Sequence, residues 1–194
     1  MVKPYGRDYF YEKAKKNSHL ARSYYKLQEA DQKYGLIKSG MRVMDLGCSP
    51  GSWIEYCLEK LGSRGEMVGI DRNEPKRTFR NLTFIRSDIM KVTPEQALAD
   101  GAPFDLVLSD MAPDTTGTPM MDAYRSFELS MQALAIASET LRKGGTFFCK
   151  IFQGEEFKQF LEEVKSRFGS VKVFKPKASR KASREVYVVG MDKR

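Results

Sequence analysis

Four short apolar runs in this chain each carry an aspartate at or near their carboxyl end, and helical or glycine-containing stretches separate them. The runs are Arg42–Gly47 with Asp45, Gly65–Asp71, Leu82–Asp88 and Phe104–Asp110. Strand-length apolar runs alternating with helical patterns predict a parallel sheet covered by helices on both faces. In such open sheets, ligands bind beyond the carboxyl ends of the strands, where the strand order reverses. Asp45, Asp71, Asp88 and Asp110 are therefore expected to meet at one edge. Capping of the following helices accounts for one or two of these aspartates, but less comfortably for all four.

The rest of the chain fits the same scheme. Residues 10–34 are charged, with Leu20, Tyr24 and Leu27 at helical spacing, and end near Gly35. A helix is expected over Trp53–Leu61, and a long one over Met121–Leu141, stopped by Gly144-Gly145. A fifth strand, Thr146–Phe152, precedes a helix over Glu155–Phe168. The final apolar runs, Val171–Phe174 and Glu185–Met191, have no helix between them and should form an antiparallel hairpin. At 194 residues, with 41% hydrophobic composition, one domain is expected. Residues 1–35 would form its basic helical segment and residues 36–194 its core.

Composition removes several classes of function. Cys48, Cys57 and Cys149 form no CxxC pair and His19 is the only histidine, so a zinc site lacks ligands. Three reduced, buried thiols are expected, and no metal. A Ser-His-Asp triad would have to use His19, in a basic helical segment where a surface role near a polyanion is the simpler expectation. No apolar run approaches the ~18 residues of a membrane helix. The opening MVKPYGRDYF lacks a continuous apolar segment. A soluble, cytoplasmic protein, acting as a monomer, is expected.

The net charge of +8 is concentrated at the ends. Residues 1–26 hold seven Lys or Arg (Lys3, Arg7, Lys13, Lys15, Lys16, Arg22 and Lys26) against Asp8 and Glu12. Residues 165–184 hold eight basic residues and no acidic one. If the fold brings these ends together, they form one face for a polyanion. Tyr5, Tyr9, Phe10, Tyr11, Tyr24 and Tyr25 are interleaved with the first segment. Aromatic rings beside cations suit nucleic acid, stacking bases while the cations hold phosphates. Any single ring among them is better read as core packing.

Between the first strand and its helix lies Asp45-Leu-Gly-Cys-Ser-Pro-Gly-Ser-Trp53. Its spacing is not G-x-G-x-x-G, and no Gly-Lys-Ser/Thr follows, so it matches neither a dinucleotide cradle nor a P-loop. What remains is a tight turn suited to a nucleoside without a diphosphate. Asp71 is placed to accept from a ribose diol, and Asp88 from an adenine amino group. S-adenosylmethionine meets these requirements better than NAD.

Five segments, in order, carry a family resemblance: Arg22-Ser-Tyr-Tyr-Lys-Leu27, the loop Asp45–Trp53, Ser109-Asp-Met-Ala-Pro113, Cys149-Lys-Ile-Phe-Gln-Gly154 and Ser183-Arg-Glu-Val-Tyr187. Together they resemble the FtsJ/RrmJ family of ribose 2′-O-methyltransferases, particularly its branch acting on large-subunit ribosomal RNA. The resemblance implies a Rossmann-like S-adenosylmethionine-dependent methyltransferase fold: a mostly parallel seven-stranded α/β sheet with a C-terminal antiparallel hairpin. It implies a catalytic tetrad of Lys26, Asp110, Lys150 and Glu185, with Lys150 as the family's general base. It also implies cofactor contacts at Gly51, Trp53, Asp71, Asp88 and Asp110. Cys48, Ser49 and Ser52 depart from the commonest bacterial loop. The implied substrate is a uridine of 23S ribosomal RNA, within the large subunit.

A ribose hydroxyl is a poor nucleophile, so transfer needs alignment and removal or relocation of its proton. A lysine serves as base only where its ammonium form is disfavoured; a cation such as Lys26 and partial desolvation push that way. Lys150 as a base and Lys150 as a charged electrostatic group both remain open. Taken alone, Lys26 and Glu185 would read as a surface ion pair worth roughly 0–1 kcal/mol. Three other functions compete with this one: a nucleotide-dependent oxidoreductase, a tRNA 2′-O-methyltransferase, and a non-catalytic RNA-binding ribosome assembly factor. The oxidoreductase lacks its glycine fingerprint, and the assembly factor would be favoured by a broken tetrad.

Overall fold

The structure is a computed structural model and describes residues 9–98, 101–180 and 182–194. Lys3, Tyr5, Arg7 and Asp8 of the first basic segment, and one lysine of the second, lie outside the described residues. The strands are β1 (Arg42–Leu46), β2 (Glu66–Asp71), β3 (Leu82–Arg86), β4 (Phe104–Ser109), β5 (Leu141–Phe152), β6 (Phe168–Phe174) and β7 (Glu185–Lys193). They form one sheet in the order β3-β2-β1-β4-β5-β7-β6. β1, β2, β3, β4 and β5 pair in parallel. β7 runs antiparallel to both β5 and β6. The expected hairpin is present, and β6 therefore points the same way as the parallel strands.

The helices are α1 (Tyr9–Lys16), α2 (Ser23–Tyr34), α3 (Ser52–Leu61), α4 (Pro94–Leu98), α5 (Pro119–Thr140) and α6 (Phe157–Arg167), with a 3-10 turn at Ile89–Lys91. Alternate strand residues feed two separate cores. Val43, Leu106, Leu108, Phe148 and Tyr187 pack with residues of α2 and α3 on one face. Met44, Val107, Phe147, Cys149 and Val188 pack with α5 and α6 on the other. This is the period-2 alternation of a sheet buried on both sides. Burial pushes all three thiols up, Cys149 to about 12, which leaves them inert packing groups.

Three expectations need correction. The charged stretch 10–34 is two helices, because Ser18 adopts φ 57° and Leu20 N–H is drawn to the Glu55 carboxylate at 3.2 Å. Gly144-Gly145 does not stop the long helix. That helix ends at Thr140, β5 starts immediately, and Gly144 takes φ 74° where the β4–β5 register shifts. β3 ends at Arg86, so Asp88 lies beyond it and caps the 3-10 turn. Among the described residues, no helix is long and apolar enough to cross a membrane.

Candidate active site

The strand order reverses between β1 and β4, and a cavity of about 480 Å³ opens at that edge, within the usual size range for small-molecule sites. Its wall includes Gly47 and Ser49 after β1, Asp71 and Arg72 at the end of β2, Asp88 to Met90 after β3, Asp110 to Asp114 after β4, and Arg125, Glu128 and Leu129 of α5. Gly47 is required here. It has φ 76°, and a Cβ would lie 2.4 Å from Met111, a side chain of the cavity wall. Opposite the turn, Asp71 accepts from Ser49 N–H at 3.0 Å and Asn73 N–H at 2.8 Å. Asp88 accepts from Met90 N–H at 3.1 Å and pairs with Arg72 at 2.8 Å; those two partners hold its carboxyl below the usual range.

Three of the four aspartates line this cavity; Asp45 does not. Asp45 sits inside β1, 1% exposed, and neither oxygen has a hydrogen-bond partner among the described residues. Burial, then the charges of Asp110 and Asp71, push its pKa well up. Gly51 and Trp53 are not part of the wall. Gly51 starts α3 at φ 108°, where a Cβ would crowd Phe79 at 3.0 Å and Leu20 at 3.2 Å. Trp53 is buried, donates from Nε1 to the Ser23 carbonyl at 2.9 Å, and stacks on Phe148.

All four tetrad residues come together beside the cavity. Lys150 Nζ lies 3.1 Å from Asp110 Oδ1 and also donates to the Asp110 carbonyl. Lys26 Nζ lies 2.7 Å from Glu185 Oε1. Both lysines and Glu185 are buried, at 5%, 6% and 7% exposure for Lys26, Lys150 and Glu185, so these are not surface ion pairs. Burial pushes the Asp110 carboxyl up. The charges of Lys150 and Lys26, with the Tyr187 hydroxyl bond, outweigh that and hold it below its usual value. Asp110 belongs to both the cavity wall and the tetrad, and it joins the two.

Tyr187 is the residue sequence reasoning missed, although it closes the last quoted motif. Its hydroxyl donates to Asp110 Oδ1 at 2.6 Å, and Lys26 Nζ lies 5.7 Å from its ring centre. Phe148 stacks on it at 4.9 Å and Trp53 lies 6.0 Å away. The aromatic stack positions the phenol between the two ion pairs. Alternation on β7 does not mark it, since the first six residues of that strand are all buried; the register does, setting Tyr187 directly opposite Lys150 and diagonal to Phe148 on β5.

The two basic ends also meet. Lys177 N–H donates to Glu29 Oε2 at 2.8 Å, and the Phe174 and Tyr34 rings touch at 5.7 Å, which lays residues 174–177 along α2. At the other end of α2, Lys13 of α1 lies over the Tyr25 ring. Exposed Lys15, Lys16, Lys33, Lys175, Lys177 and Arg184 therefore flank the helix that supplies Lys26. His19 is not the surface residue expected: it stacks on Tyr24 at 3.7 Å and pairs with Glu55 at 3.0 Å. His19, Glu55 and Glu59 lie close enough to suggest a cation site. Their carboxylates are already engaged by Leu20 N–H, His19, Arg77 and the Tyr24 hydroxyl.

Comparison with known proteins agrees with this geometry. A family model described as FtsJ-like methyltransferase matches residues 20–193. A ribosomal RNA large subunit methyltransferase E of Desulfatibacillum aliphaticivorans is 44% identical over 97% of this chain and 91% of its own. The crystal structure of a chain described as a ribosomal RNA methyltransferase of Plasmodium falciparum has a TM-score of 0.79 at 28% identity, covering 89% of this chain and 97% of that one. Fibrillarin of Aeropyrum pernix, solved with S-adenosyl-L-methionine bound, has a TM-score of 0.60 at 19% identity, covering 84% of this chain and 74% of its own, and shows a shared fold. With the cavity at the strand switch point and the Lys-Asp-Lys-Glu cluster at its rim, the match over nearly the whole chain is decisive: this protein belongs to the FtsJ-like methyltransferase family.

Proposed function

We propose that this protein methylates a ribose 2′-hydroxyl of large-subunit ribosomal RNA, using S-adenosylmethionine, and that a uridine of 23S ribosomal RNA within the large subunit is the target. The observation that carries the reading is Asp110, which lines the cavity while bonding Lys150 and Tyr187. The cavity residues fit the cofactor. Gly47 clears the close approach, Asp71 offers a carboxylate to a ribose diol, and Asp88 beside Ile89 and Met90 offers a polar edge with an apolar wall to adenine. Trp53 and Gly51 would support the cofactor through the turn and the aromatic stack. S-adenosylmethionine, when bound, supplies a methyl group already activated by its sulfonium charge.

The chain's residues then have to place the hydroxyl and handle its proton. A lysine has three N–H donors, and the two bonds from Lys150 to Asp110 leave a third for the ribose oxygen. Asp110 holds Lys150 in place, Tyr187 holds Asp110, and Lys26 with Glu185 closes the RNA side. The cavity wall and the four charged residues belong to the same fold, and the protein is proposed to work as a cytoplasmic monomer.

The decisive test is transfer from labelled S-adenosylmethionine to unmethylated large subunits, free ribosomal RNA and total tRNA, followed by nucleoside digestion. The expected product is 2′-O-methyluridine in large-subunit RNA. Label in tRNA alone would overturn the substrate, and no label in any RNA would overturn the activity. Asp71→Ala is expected to weaken S-adenosylmethionine binding about 10- to 100-fold by calorimetry, as loss of a hydrogen bond to a charged group does; unchanged affinity would remove Asp71 from the cofactor site. Binding of unmethylated subunits is expected to fall by at least ~100-fold between ~50 and ~200 mM salt through counterion release. A flat salt response would rule out charge-led docking along α2.

A further inference from the structure

Among the described residues the exposed large apolar side chains, Tyr9, Tyr11, Met90 and Val173 apart, are Met120, Met121 and Tyr124, at 67%, 47% and 46% exposure. All three sit in the first turns of α5, and their three- and four-residue spacing puts them on one helix face. That face is continuous with the active site. Met121, Arg125 and Leu129 follow at four-residue steps, and the last two line the cavity. The patch is also tied to the strand bearing Lys150. Ser130 Oγ donates to the Lys150 carbonyl at 3.0 Å, Phe152 N–H donates to Ser126 Oγ at 3.0 Å, and a Cβ on Gly154 would lie 2.6 Å from Ala123.

On the other face of the sheet from α5 lies the opposite kind of surface, the exposed lysines flanking α2, Lys175 and Lys177 among them. A site flanked on one side by cations and on the other by apolar and aromatic groups matches the two sides of a single-stranded polynucleotide. Its phosphates seek cations and its unpaired bases seek flat, polarisable surfaces.

We propose that Met120, Met121 and Tyr124 form a stacking platform for an unpaired base flanking the target nucleotide, with the RNA phosphates running along the α2 wall. This rests on the RNA methyltransferase reading and adds to it an orientation for the strand. Tyr124 acts through its ring, because base stacking needs a π-face and no hydrogen bond. A stacking contact displaces no counterion, whereas each phosphate contact does. The two kinds of contact therefore leave different signatures in salt.

The test measures binding of the full chain to unmethylated large ribosomal subunits across a salt series, with KM and kcat at one salt concentration. Tyr124→Ala should weaken binding about ten-fold at every salt concentration, with unchanged slope. It should raise KM by a similar factor, leaving kcat, S-adenosylmethionine affinity and Tm as in the wild type. Tyr124→Phe should behave as wild type, and Met120→Ser with Met121→Ser should reproduce the loss. Lys177→Ala, on the opposite wall, should instead lower the salt slope by about one. Wild-type binding by Tyr124→Ala, an altered slope, or a Phe variant as weak as the Ala variant would overturn the platform while leaving the methyltransferase intact. If the wild-type protein neither binds nor methylates large subunits, the underlying RNA reading fails, and the platform with it.

Discussion

Lys150→Ala is expected to lower kcat for methyl transfer by about three orders of magnitude, while S-adenosylmethionine binding stays close to wild type. The size follows from losing the group that handles the hydroxyl proton, typically ~10²–10⁴-fold. The selectivity follows from geometry, since Lys150 is not part of the cavity wall whereas Asp110 is. Lys150→Arg then separates two roles. A guanidinium stays charged and cannot act as a base. If Lys150 works by charge alone, the arginine variant should recover a sizeable fraction of the rate, and if it must accept a proton the variant should be as inactive as the alanine. As it stands, Lys150 donates to two oxygens of Asp110, and Asp110 is held ionised by both lysines and Tyr187. A base role requires substrate to break that pairing; an electrostatic role uses it unchanged. Transfer at the wild-type rate by Lys150→Ala would remove it from the reaction.

The sheet was readable because short, continuous apolar runs of strand length alternate with helical patterns, as strands buried on both faces do, and aspartates at run ends mark one edge. Asp71 and Asp110 sit where that logic puts them, and Asp88 reaches the cavity wall from just beyond its strand. Asp45 failed the same logic because β1 continues one residue past it, to Leu46, and its side chain falls on the α3 face beneath the loop. The break between α1 and α2 was not legible because its cause is distant in sequence. Glu55 takes His19 and Leu20, and Arg77 donates to the Ser18 carbonyl at 2.9 Å. Helical spacing reports local preference and carries no trace of contacts 35 or more residues away. Trp53 and Tyr187 show the same limit within the site. Nothing in the spacing shows that Phe148 stacks on both of them, which sets the Tyr187 hydroxyl against Asp110.

Lys26→Ala should destabilise the protein as well as inactivate it, because Glu185 would be left buried without its 2.7 Å partner. An exposed ion pair lost in this way would cost roughly 0–1 kcal/mol. For a pair with both members less than a tenth exposed, the loss should be on the order of 3 kcal/mol, readable as a shifted denaturation midpoint. Stability and catalysis can be separated by removing both charges together. Lys26→Met with Glu185→Leu replaces the pair by apolar groups of similar volume, which is often neutral or stabilising in a buried setting. The double variant should recover the wild-type midpoint yet remain inactive, since no cation then faces the hydroxyl from α2 and Asp110 loses one of the two charges that hold it ionised. Recovery of methyl transfer along with stability would reduce Lys26 to a structural residue. An inactive Lys26→Ala with a wild-type midpoint would mean that Glu185 relaxes into solvent, and that the pair serves the reaction alone.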